Sequence, residues 1–288
     1  MTQAEKQHMM ATAPIPGLIA RLSVPTIISM LITSFYNMAD TFFVGKLGTS
    51  ATAAVGVVFP LMSIIQALGF LFGHGSGNSV SRKLGAQKVD EAEHLASCGF
   101  FSSLVCGLFI LIGGQLFLEP LSRILGSTDT ILPYTKQYLS VILIGAPYMT
   151  ASLTMNNLLR FQGSAFYAMI GITTGAVLNV ILDPVFIFVF DMGIAGAAWA
   201  TILSQLVSFV LLLVGMKVSN CVPLRMKNMK YLPSLIGQIF GGGLPSLCRQ
   251  GLASLATVAL NLAAGPYGDA AIAAMSIVMR IAFFAGST

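Results

Sequence analysis

Long apolar runs recur along the chain, separated by short polar segments. A membrane-spanning helix needs about 20 mostly apolar residues. Eight runs qualify, the last incompletely: residues 19–43, 52–80, 95–118, 135–158, 166–190, 194–216, 234–262 and 270–288. The longest polar connections are 82–94 and 217–234, and neither could hold a soluble domain. The pattern predicts an all-α polytopic membrane protein.

Composition agrees with this. The chain is 56% hydrophobic and 9% charged, whereas ordinary soluble domains carry about 25% charged residues. The net charge of +5 does not mark a nucleic-acid partner, because the basic residues are dispersed among connecting loops. Lys6, Arg21, Arg82, Lys83, Lys88, Arg160, Lys217, Arg225, Lys227 and Lys230 fall on one side of the predicted topology. Only Lys46, Arg123 and Lys136 fall on the other. Cytoplasmic loops are enriched in Lys and Arg, so the N-terminus and both long connections are expected in the cytoplasm. The first residues lack the charge pattern and cleavage site of a signal peptide. The first run is therefore read as a retained span, in the cell (inner) membrane.

A repeat runs through the apolar pattern. Shifted by 220 positions, residues 24–58 align without a gap on residues 244–278. Pro25 falls on Pro245, Ser34 on Ser254, Gly45 on Gly265 and Gly48 on Gly268. The repeat restarts after six spans, an even number, so both copies cross the membrane in the same direction. The expected relation is an axis along the membrane normal. The predicted organisation is a tail (1–16), a lobe of six spans (17–216), a basic linker (217–233) and the first two helices of a second lobe (234–288). A second lobe of equal size would need roughly 160 further residues. The sequence is thus expected to be the first part of a two-lobed protein.

Polar residues inside the spans are the candidate chemistry. Asp40 and Asp183 each sit in the middle of an apolar run. A carboxylate at bilayer depth costs on the order of 2.5–3.5 kcal/mol on insertion scales, which points to function. Residues three and four apart share a helix face. In the first span Ser29, Thr33, Tyr36, Asn37 and Asp40 form one stripe, and in the fifth Gly171, Gly175, Asn179 and Asp183 form another. The sixth carries Thr201, Ser204, Gln205 and Ser208, and the seventh Gln250, Ser254, Thr257 and Asn261. Interhelical hydrogen bonding accounts for many such Ser and Thr stripes. The pair Asn179/Asp183 asks for more. Pro184 follows at once and cannot donate a backbone hydrogen bond. A kink is expected there, with the Val180 carbonyl deprived of its donor. Carboxylate, amide and carbonyl oxygens suit a proton or a small hard cation rather than a soft transition metal.

Other features read as structure. Cys98, Cys106, Cys221 and Cys248 form no CxxC pair and are expected to be small apolar filler. Gly69, Gly73 and Gly77 lie in a glycine-rich run that lacks the GxxxxGK[ST] pattern of a phosphate loop. Their spacing of four is a helix-packing pattern. His74 is read as a packed, hydrogen-bonded side chain.

The segment PTIISMLITSFYNMADTFFVGKLG, the N-x-x-x-D-P element at Asn179, Asp183 and Pro184, and GIAGAAWAT ending at Thr201 together resemble the multidrug and toxic compound extrusion (MATE) transporters. The pattern is similar to the branch of DinF-type and MepA-type bacterial pumps. The resemblance covers essentially the whole chain as the first eight of that family's twelve helices. It implies two six-helix lobes around a central cavity and alternating access. It also implies export of drugs or organic cations in exchange for H⁺ or Na⁺, with no cofactor and no transition metal. It places the cation site at Asp40, Asn179, Asp183 and Thr201; Tyr36 and Asn37, on the same stripe as Asp40, and Val180 and Pro184, at the expected kink, are read as shaping it. Gln205, Gln250, Ser254, Thr257 and Asn261 are candidates for the substrate cavity. The expected partners are a small-molecule drug or organic cation and the bilayer, with a monomer as the full-length form. A second acidic site on the seventh helix, found in some members, is not carried over, since residues 244–262 contain no acid.

Two other readings compete. A lipid-linked oligosaccharide flippase of the same superfamily shape needs several basic residues at membrane depth, and only Arg249 and Arg280 qualify, both near predicted span ends. An intramembrane aspartyl protease needs a carboxylate dyad. The expected GxGD context is absent around Asp183, which reads ILDPVF.

Overall fold

The computed structural model describes residue 5, residues 12–226 and residues 233–287. Tail residues 1–4 and 6–11, linker residues 227–232 and Thr288 lie outside the described residues, as do the side chains of Pro233, Arg280 and residues 283–287. The described residues form α1 (Ile15–Gly45), α2 (Thr49–Gly85), α3 (Val89–Leu116), α4 (Leu118–Ile124), α5 (Leu132–Phe161), α6 (Ala165–Pro184), α7 (Gly193–Val218), α8 (Pro233–Ala264) and α9 (Asp269–Ser287), and no strand occurs among them. A π-helical turn, Val185–Val189, continues α6, and a 3₁₀ turn, Gly265–Tyr267, joins α8 to α9.

Apart from α4, each helix overlaps one of the eight apolar runs. Among the described residues, six helical stretches are long and apolar enough to cross a membrane: α1, α2, α3, α5, α6 with its π turn, and α7. In α8, Arg249, Gln250 and Asn261 dilute the apolar run, while in α9 the stretch Asp269–Met279 is apolar but shorter than a span. The polar stretch 82–94 is mostly helix rather than a long loop. α2 runs to Gly85 and α3 starts at Val89. With 37 residues, α2 is about 55 Å long, well beyond the ~30 Å hydrocarbon layer. Its polar end therefore reaches water, where Lys83 and Lys88 lie 2.5 and 3.0 Å from the Glu91 carboxylate. α4 was not foreseen either. It is short, and ion pairs anchor its surroundings: Glu119 with Lys136 at 2.8 Å and Arg123 with Asp129 at 2.9 Å.

α5 is the centre of the bundle and packs against α2, α3 and α7. The glycine spacing in α2 makes this close approach possible. A Cβ at Gly69 or Gly73 would come within 2.7 Å of Leu153 or Asn157, and one at Gly77 would strike the Phe161 ring. The three α5 partners are also spaced by four, so two matched rows of residues interlock. α1 behaves differently. Residues 46–48 lead directly into α2, yet α1 lies mainly along α6. Ile19, Val24, Ile27, Phe35 and Phe42 of α1 stay exposed, as a lipid-facing stripe requires.

The 220-residue repeat is visible in the backbone. Gly48 has φ +113° and precedes α2, while Gly268 has φ +91° and precedes α9. Such a positive φ is strained for residues with a Cβ. Residues 56 and 276 are also related by this shift, and they touch. A Cβ on Gly56 would sit 2.5 Å from the Ser276 Cβ. Contact between equivalent positions is what the expected axis would produce if it passed between α2 and α9.

Candidate functional site

The fifth-span stripe forms one face of α6, and that face packs on α7. Gly171 and Gly175 leave room for it: added Cβ atoms would lie 2.6 Å from Leu212 and 2.8 Å from the Ser208 Cβ. This close approach brings Asn179 and Asp183 of α6 to Thr201 of α7. Asn179 Nδ2 donates to Asp183 Oδ1 at 3.4 Å and to Thr201 Oγ1 at 3.4 Å. Thr201 Oγ1 donates in turn to the Ala197 carbonyl at 3.0 Å. All three side chains are buried, Asp183 completely.

Both bonds from Asn179 are long for N–H···O contacts, which cluster near 2.9–3.0 Å. The Asn179 Oδ1 is buried and has no hydrogen-bond partner. The arrangement is therefore loosely closed and contains a buried acceptor with nothing to accept. Asp183, Asn179 and Thr201 offer carboxylate, amide and hydroxyl oxygens, a hard donor set that fits a proton or an alkali cation. Among the described residues no group of three His, Cys, Asp or Glu side chains could hold a metal ion.

Asp40 lies on the neighbouring helix α1 and is 6% exposed. Aromatic contacts hold this part of α1 against the π turn that follows Asp183. Phe43 meets Phe188 edge-on at 6.4 Å, and Lys46 Nζ stands 4.7 Å from the Phe42 ring and 5.9 Å from that of Phe188. Sequence reading missed Phe43, Phe188 and Lys46. Aromatic residues near span ends are common enough to hide them. Pro184 does end the α-helical pattern, and the chain answers with a π turn, a feature frequent at functional sites. Tyr36, Asn37 and Val180 are half-buried. Other members of the α1 stripe bond within their own helix: Ser29 Oγ to Pro25 O at 2.7 Å, Thr33 Oγ1 to Ser29 O at 2.8 Å, and Asn37 Nδ2 to Thr33 O at 2.9 Å.

The substrate-cavity candidates divide. Gln205 is half-buried on α7. Ser254, Thr257 and Asn261 are buried on α8, which packs extensively along α2. Ser254 and Thr257 donate to the Gln250 and Ala253 carbonyls, while Asn261 donates across to Gly56 O at 3.4 Å. Thr257 and Asn261 line a small hollow with Gly56, Phe59, Ser276 and Met279, where α2, α8 and α9 meet. Gln205 and Gln250 are not part of that lining.

Known transporters resemble the chain over nearly all of its length. Multidrug export protein MepA of Staphylococcus aureus (strain MRSA252) is 29% identical over 282 residues, covering 97% of this chain and 62% of that protein. The chain thus spans less than two thirds of the length of such relatives. A solved structure described as the inward-facing conformation of a multidrug resistance MATE family transporter of the MOP superfamily is 30% identical, with TM-score 0.81 and coverage of 94% of this chain and 64% of that one. An outward-facing structure of a transporter with the same description is 31% identical, with TM-score 0.81 and coverage of 93% and 60%. These relatives are transporters and not enzymes. The family model described as MatE matches residues 25–185, which span α1 to α6 and include Asp40, Asn179 and Asp183. The chain belongs to the MatE family.

Proposed function

We propose that this multi-pass membrane protein exports drugs or organic cations in exchange for H⁺ or Na⁺, through Asp40, Asn179, Asp183 and Thr201. One observation carries the reading: Asn179 bridges a fully buried carboxylate and a hydroxyl while its own Oδ1 is buried without a hydrogen-bond partner. An ion or proton entering this site neutralises charge and gives the oxygens a shared partner. That tightens the contact of α6 with α7, and α1 lies along the same α6. Ion and cargo must prefer different conformations for exchange to occur. The 220-residue repeat supports two lobes that alternate around a central cavity, divided at the 217–233 linker. Loop charge supports a cytoplasmic N-terminus in the cell membrane.

The test is efflux of a cationic dye from vesicles carrying the whole protein, driven by an imposed pH or Na⁺ gradient. Asp183→Asn and Asp40→Asn should each abolish gradient-driven efflux while leaving expression normal. Wild-type efflux in either variant would refute the assignment. The flippase alternative is separated in the same vesicles by assaying translocation of a lipid-linked oligosaccharide, which the exporter reading expects to be absent.

A further inference from the structure

α1 is held to the bundle near its C-terminal end. Its buried residues are Ser29, Asp40 and Val44, and Phe43, between the last two, packs against the core. Three residues apart, Asp40 and Phe43 share a helix face. The Phe43 ring meets Phe188 of the π turn edge-on, with centroids 6.4 Å apart, inside the range of a favourable edge-to-face pair. Lys46 Nζ stands 5.9 Å from the same Phe188 ring.

The turn that presents Phe188 is itself fixed. Its hydrogen bond from Phe190 N to Val185 O, at 3.0 Å, spans five residues. The extra residue rotates the chain beyond it by about 100° relative to a continued α-helix. Ile187 is buried. The Phe186 carbonyl accepts from Met192 N at 3.1 Å and lies against Gly196 of α7, where an added Cβ would come within 2.7 Å of it. The turn therefore belongs to the α6–α7 unit that carries Asn179, Asp183 and Thr201. Phe188 carries that fixed geometry across to Phe43, one turn from Asp40.

The second copy of the repeat lacks the acid and the ring together. Leu260 stands at the position equivalent to Asp40, and Ala263 at the position equivalent to Phe43. Packing alone gives no reason for both to be missing from the same copy.

We propose that Phe43 and Phe188 are positioning residues for the coupling cation. Their contact sets how near the Asp40 carboxylate stands to Asn179, Asp183 and Thr201, and so how tightly one cation is held between α1 and the α6–α7 pair. Neither ring touches the ion. The proposal rests on the cation-exchange reading above.

The test uses vesicles carrying the whole protein, with cationic-dye efflux measured against Na⁺ concentration and against pH. Phe188→Leu should raise the Na⁺ or proton concentration needed for half-maximal efflux about fivefold, while efflux at saturating cation stays near wild type. Phe43→Leu should do the same, and the two changes together should cost no more than either alone, because each removes the same contact. Phe188→Tyr keeps the ring on a side chain already 45% exposed, and should restore wild-type affinity. Phe166→Leu, at an exposed aromatic elsewhere on α6, should change nothing. Should Phe188→Leu fail to fold, Phe43→Leu breaks the contact from the other helix and carries the same expectation. The proposal falls if the leucine variants keep wild-type cation affinity, if they lower only the maximal rate, if their effects multiply in the double variant, if Phe188→Tyr fails as Phe188→Leu does, or if Phe166→Leu loses as much. Asp183→Asn in the same vesicles separates the two claims. Abolished drive there, beside wild-type affinity in Phe188→Leu, overturns the positioning role alone, whereas drive that survives Asp183→Asn overturns the cation reading and this proposal with it.

Discussion

Replacing Gly56 by Ala tests the contact that joins the two copies of the repeat. The new Cβ would lie 2.5 Å from the Ser276 Cβ and 3.2 Å from its Oγ. Carbon atoms in contact sit about 3.5–4.0 Å apart, so α2 and α9 must separate by about 1 Å. Overpacking of this size costs about 1–3 kcal/mol. Ser276→Gly removes the opposing atoms, giving up the bond from Ser276 Oγ to Ala273 O at 2.8 Å and adding a helical glycine at about 0.5–1 kcal/mol. The double variant exchanges a small and a smaller residue across equivalent positions, so the cost of the alanine should largely vanish in it. Equilibrium unfolding in mixed detergent micelles of the four proteins gives the coupling energy, expected to be at least about 1 kcal/mol in favour of the double variant. If Gly56→Ala costs the same in the wild-type background as in the Ser276→Gly background, residues 56 and 276 do not meet, and the axis is misplaced.

Other consequences are equally open to measurement. Thr201→Val removes a hydroxyl oxygen from the proposed cation site. It should weaken the apparent affinity for the driving cation about fivefold, or about 1 kcal/mol, read from efflux against cation concentration. Asp269 accepts hydrogen bonds from Thr128 at 2.8 Å and Thr130 at 2.7 Å. Asp269→Ala should speed amide hydrogen exchange across residues 125–131 and leave residues 95–116 unchanged. The hydrogen bond from Lys136, with its charge and that of Arg123, holds the exposed Glu119 carboxyl below its usual range. Because the folded pKa is depressed, this stabilisation is present above the unfolded value and is lost as pH falls through the folded one. Glu119→Gln should therefore lower melting temperature slightly at neutral pH and converge with wild type in acid, as followed by thermal unfolding over a pH series.

Much of the architecture could be read from residue spacing, because lipid imposes length and polarity on every span. Gly171, Gly175, Asn179 and Asp183 at intervals of four were enough to place the acid and the amide on one α6 face. Gly45, Gly48, Gly265 and Gly268 marked both helix junctions before the backbone showed their matching turns. Other features depend on partners that spacing does not reveal. Nothing in residues 15–45 says that α1 leaves its chain neighbour α2 and lies along α6. Residues 82–88 look like loop because they are polar, yet a helix projecting into water needs such residues. LEPLSRI at 118–124 is too short to show a period. Arg160 reads as a loop charge, yet it belongs to the last turn of α5. Thr201 was placed by the resemblance of GIAGAAWAT, while its hydrogen bond to Asn179 needed the α6–α7 contact.

The linkage between cargo and cation is most directly measured in the purified whole protein, by titrating a cationic dye and recording proton release in weak buffer, with and without Na⁺. The account expects dye binding to expel H⁺ or to be competed by Na⁺, and expects Asp183→Asn to bind dye with neither effect. Dye affinity in wild type that is indifferent to both pH and Na⁺, or linkage that survives intact in Asp183→Asn, would contradict it.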